Sequence, residues 1–114
     1  MKMKKLRRIL SLLLLAGLLW TWVQPVYAHA VPEFSNPAPN ALLDELPDNL
    51  IIQFNEPIVP NLSRIDLLTQ GGEQVETGPL QIIDANGRTA AVSLPDLEQG
   101  AYLVSWQVLS AVDG

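Results

Sequence analysis

Short apolar runs with period-two alternation, dense proline and glycine punctuation between them, and no sustained helical period after residue 28 predict an all-β sandwich. Val31 to Ser35 and Ala41 to Leu43 read as short edge strands interrupted by proline. Leu50, Ile52 and Phe54 alternate with Ile51, Gln53 and Asn55, which makes a strand with one strongly apolar face. Ile65 to Leu68 is a further run. Gln81 to Ile83 and Ala90 to Leu94 flank Asp84-Ala85-Asn86-Gly87 and read as a hairpin around a turn. Ala101 to Leu109 is the clearest strand: Tyr102, Val104, Trp106 and Val108 share one face, Ser105 and Gln107 the other, and Trp106 is expected in the core. The acidic pieces Asp44-Glu45 and Glu73 to Glu76 lack the alternating spacing of a calcium loop and read as solvated turns.

Residues 1–28 have a different character. Lys2, Lys4, Lys5, Arg7 and Arg8 precede an apolar run from Ile9 to Val23, and Pro25 breaks any helix before Val26-Tyr27-Ala28. This is the layout of a secretory signal peptide cut after Ala28, and its apolar run is shorter than the roughly 20 residues of a comfortable membrane span. Residues 29–114 then make one small domain. Uncleaved, the leader would instead tether that domain to a membrane. The domain stops at Asp113-Gly114, directly after its strongest strand, so it is expected to be incomplete, with an open sheet edge.

Loss of the leader leaves Arg64 and Arg88 against twelve acidic side chains, a net charge of −10. Such a domain does not seek nucleic acid or anionic lipid. Cysteine is absent and both methionines leave with the signal, so no soft sulfur ligand remains for Cu(I), and an exported chain of this kind needs no disulfide. Enzymatic routes find little support. The single histidine, His29, lies at the cut, no cysteine nucleophile exists, and Gly71-Gly72 and Gly78 lack the lysine of a phosphate-binding loop.

His29 would become the first residue of the mature chain. Its free α-amine and an imidazole nitrogen can then chelate one transition-metal ion, and with only nitrogen and oxygen donors at hand this favours Cu(II) or Zn(II). An acidic surface would raise the local cation concentration.

Five segments follow in order: His29-Ala30; Ser35-Asn36-Pro37-Ala38-Pro39-Asn40-Ala41; Ile52-Gln53-Phe54-Asn55-Glu56-Pro57-Ile58; Leu94-Pro95-Asp96-Leu97; and Gly100 to Ser110. Together they resemble the CopC family of periplasmic copper-binding proteins. The resemblance implies a Greek-key sandwich, immunoglobulin-like or cupredoxin-like, that holds one Cu(II) through a histidine brace. In the family the brace is completed by an Asp-x-His motif after the tryptophan strand. By resemblance His29 carries the brace and Asp113 the carboxylate, position 115 would hold the second histidine, and Glu56 lies near the metal. It further implies an extracytoplasmic monomer, working in copper resistance, homeostasis or delivery to a membrane importer, and not an enzyme.

Three departures stand out. Asp113 falls three residues after Ser110, a spacing that resembles domains joined to CopD-like membrane partners; Gln107 replaces an arginine; and the methionine-rich Cu(I) site of some members has no counterpart. Two other readings are open. One is a metal-free immunoglobulin-like structural or adhesion module. The other is a copper-dependent oxidase, which would need an open copper position and a substrate-facing aromatic plane.

Overall fold

The computed structural model describes Arg8 and residues 29–112; the leader with its cut after Ala28, and Asp113, lie outside the described residues. Seven strands follow in order: β1 (Pro32–Asn36), β2 (Asn49–Phe54), β3 (Arg64–Thr69), β4 (Gln74–Val75), β5 (Gln81–Ile82), β6 (Thr89–Ser93) and β7 (Tyr102–Gln107). Between residues 29 and 112 the helical content is one 3-10 turn, Pro60–Leu62. No helix among the described residues is long and apolar enough to cross a membrane.

The strands form two antiparallel sheets, ordered β1-β2-β6-β5 and β4-β3-β7. The chain changes sheet between β2 and β3, between β4 and β5, and between β6 and β7, so both sheets contribute to one interior. Leu50, Ile52 and Phe54 of β2 turn inward as their alternation predicts, and Phe54 has no exposed surface. With Ala30, Ile58, Ile65, Ala90 and Val92 they make the core, flanked by Leu80, Ile82, Leu94, Val104 and Val108.

The expected hairpin is present, with Gln81 opposite Ala91 and Ile82 opposite Ala90. Its turn is organised by Asp84, whose Oδ1 accepts from the amides of Arg88 and Thr89, both at 3.0 Å, and whose Oδ2 accepts from Thr89 Oγ1 at 3.1 Å. Burial opposes the charge on this carboxyl, but the hydrogen bonds from Thr89 and Arg88 outweigh it and hold the group below the usual carboxylate range. Gly87 closes the turn at φ 73°, a region a side chain would disfavour.

Three expectations are corrected. Ala41 to Leu43 is irregular chain, with Leu42 fully exposed and no strand beside it. Within the acidic stretch Glu73 to Glu76, Gln74–Val75 is a strand, because the Gly71-Gly72 turn folds it back onto Leu67 and Leu68 of β3. Trp106 is 46% exposed and is not a core residue. It pairs with Ile65 on β3, but β7 is the outermost strand of its sheet, and the inward cover that reaches Val104 and Val108 does not close over the indole.

Candidate metal centre

The site grows from the register of two ladders that meet on one short segment, Asn55 to Ile58. On one flank, β1 runs antiparallel to β2, with Asn36 opposite Ile51 and, after an irregularity at Glu33, Pro32 opposite Phe54. That alignment carries the residues before Pro32 alongside those after Phe54. Asn55 fastens them: its Oδ1 accepts from the Val31 amide at 2.7 Å, and its own amide donates to the Val31 carbonyl at 2.9 Å. Ala30 is buried in the core, and His29, one residue earlier, is exposed at the same end of the sandwich.

On the other flank the chain leaving β7 returns along the same segment. Ile58 bridges Ser110 in antiparallel fashion, Val59 donates to the Leu109 carbonyl at 2.9 Å, and Ala111 donates to the Pro57 carbonyl at 2.8 Å. Ser63 Oγ reinforces this by accepting from the Leu109 amide and donating to the Val59 carbonyl. Ser110 itself is 2% exposed and is the buried polar residue of the described chain. Its hydroxyl donates to Glu56 Oε2 at 2.7 Å and accepts from the Val112 amide at 3.2 Å. The hairpin turn supports the segment from a third direction, since Phe54 donates to the Arg88 carbonyl and Ile58 to the Gly87 carbonyl.

Residues 29–31, 55–58 and 110–112 are thereby gathered at one end of the sandwich. His29 and Glu56 belong to this end, and the chain that leads into Asp113 is held there as far as Val112. Asp113 itself is outside the described residues. Among the described residues no three His, Cys, Asp or Glu side chains already form a metal-holding group. The fit to a metal therefore rests on donor chemistry: a nitrogen-bearing residue and a carboxylate fixed by a hydroxyl, hard or borderline donors that suit a divalent ion. Arg88 is already engaged, donating through Nε to the Phe54 carbonyl at 3.0 Å and through Nη2 to Glu33 at 2.9 Å.

Sequence reasoning singled out His29, Glu56 and Asp113 but not Asn55 or Ser110. Both lay inside the quoted motifs, and the available signal was their polarity beside strand residues that turn into the core.

The model of the CopC domain matches residues 33–114. The chain belongs to the CopC family. The family is one of copper-binding proteins, and its solved sandwich is similar to this one: the crystal structure of CopC from Methylosinus trichosporium OB3b aligns with a TM-score of 0.69 and 23% identity, covering 74% of this chain and 81% of that one. Among curated relatives, the copper transport protein CutJ of Bacillus subtilis is 30% identical over 86 residues, 75% of this chain. The matched region spans only 16% of CutJ. Protein YobA of Escherichia coli K12 is 32% identical over 90 residues, 78% of this chain and 72% of YobA. This CopC-family sandwich thus agrees in fold class with the reading from alternation and punctuation.

Proposed function

We propose that this CopC-family domain is exported, cut after Ala28, and binds a single Cu(II) at the end of the sandwich where His29, Glu56 and the approach to Asp113 converge. His29 supplies its α-amine and an imidazole nitrogen, and Asp113 supplies a carboxylate. A histidine following Gly114 would complete a nitrogen-rich tetragonal set, the kind Cu(II) prefers. The observation that carries the reading is the double anchoring of Asn55 to Ile58, which brings residues 29–31 and 110–112 to the same segment.

The role is that of a carrier in copper resistance, homeostasis or delivery to a CopD-like membrane partner, with the domain monomeric and outside the cytoplasm. A filled tetragonal set leaves little room for a substrate, so an oxidase is not favoured. Protons compete for the amine and the imidazole, so affinity should decline as the medium is acidified.

The test uses the natural polypeptide processed from its own leader. N-terminal sequencing should begin at His29, and Cu(II) titration should saturate near one equivalent, with nitrogen hyperfine structure in the electron paramagnetic resonance spectrum. His29→Ala, or one extra residue ahead of His29, should weaken binding by orders of magnitude. Unchanged affinity in both would leave the metal-free sandwich module as the better reading.

A further inference from the structure

Ser110 has two duties for one hydroxyl. It is buried, its proton goes to Glu56 Oε2 at 2.7 Å, and its lone pair receives the Val112 amide at 3.2 Å. A hydroxyl has one proton to give, so the direction of both bonds is fixed: the carboxylate accepts and the amide donates. The backbone cannot shift away, because Ser110 is bridged to Ile58 and Ala111 is bonded to the Pro57 carbonyl at 2.8 Å. The side chain of Glu56 and the main chain one residue before Asp113 are thus tied to the same oxygen atom.

We propose that Ser110 is a positioning residue of the metal centre, orienting the Glu56 carboxylate and the backbone at Val112 through this single shared hydroxyl. The proposal rests on the copper reading given above. It adds a residue that touches no metal and that donor chemistry alone would overlook. With Oε2 occupied by Ser110, Glu56 offers Oε1 to a donor at the site. The backbone just beyond Ser110 is held as far as the Val112 amide, which the same hydroxyl accepts. Groups that orient metal ligands typically affect affinity by about 10–100-fold when removed.

The experiment compares Cu(II) binding and the paramagnetic resonance spectrum of the natural polypeptide with Ser110→Ala and Ser110→Thr. Ser110→Ala should lose about 10–100-fold in affinity and change the hyperfine pattern, whereas Ser110→Thr, which keeps the hydroxyl, should restore both. In the metal-free protein, amide hydrogen exchange at Val112 should quicken in Ser110→Ala and not in Ser110→Thr. Ser110→Ala with wild-type affinity, spectrum and exchange overturns the proposal while leaving the copper reading intact. If the unsubstituted protein takes up no Cu(II), the copper reading fails on its own, and the exchange measurement still decides whether the hydroxyl orders the tail. Should Ser110→Ala not fold, Glu56→Ala removes the carboxylate that the hydroxyl orients, and unchanged Cu(II) affinity and spectrum there would also overturn the proposal.

Discussion

Two strands of this sandwich, β2 and β7, have similar sequence patterns and very different burial. In β2, alternation delivers Leu50, Ile52 and Phe54 to the core at 4%, 3% and 0% exposure. In β7, an equally regular alternation leaves Trp106 46% exposed and only half-buries Val104. The difference lies in neighbours. Among the described residues β2 has a strand on each side, β1 and β6, whereas β7 has β3 alone. A period of two says that a strand has two faces; it does not say that anything covers the apolar one.

Substitutions can break or sharpen this contrast, and the largest effect belongs to β2. Phe54→Ala removes a side chain with no exposed surface and should cost about 3–5 kcal/mol in a denaturant titration, enough to unfold a marginal domain. Trp106→Ala, although it deletes more atoms, should cost about 2 kcal/mol, because much of the indole is in water in the folded state too. Equal losses at the two positions would show that β7 is covered in solution. Asn55→Ala cuts the clamp on Val31 and should cost about 1 kcal/mol, with faster proteolysis ahead of β1 as the more sensitive readout.

The last effect is confined to acid. Asp84 has a depressed folded-state pKa, so its contribution to stability is present above the ordinary carboxylate value of about 3.9 and is lost as pH falls through the lower folded value. Asp84→Asn should flatten this part of the stability profile below about pH 4 and leave the rest of its shape unchanged. A profile that keeps its full acid slope in the variant would assign the slope to other carboxylates.

How much of this was legible in the sequence depended on how local the cause was. The β5-β6 hairpin was legible because Asn86-Gly87 specifies its own turn, and β2 because three large apolar residues mark one face. Strand β4 was hidden, since Glu73-Gln74-Val75-Glu76 has one apolar residue and owes its conformation to the Gly71-Gly72 turn and to β3. The opposite error arose at Ala41 to Leu43, where an apolar triplet between prolines has no partner strand and projects Leu42 into solvent.

The site followed the same rule. His29 could be singled out by its position next to Ala28, but the convergence of residues 31, 55 and 110 depends on sequence separations of 24 and more. No short-range pattern encodes such separations. For Ser110 polarity was the one signal in the sequence, and its role became legible only when its burial and its two bonds were seen together.

Residues 29–114 contain two arginines, and both are already committed, Arg64 to Asp66 at 3.2 Å and Arg88 to Glu33 at 2.9 Å. Within this stretch the remaining excess of anionic side chains therefore repels itself, with no further arginine or lysine in it to offset the repulsion. Ordinary sodium chloride should raise the melting midpoint of the metal-free domain by screening that repulsion, so ionic strength will act on this protein as a mild stabiliser before any copper is added.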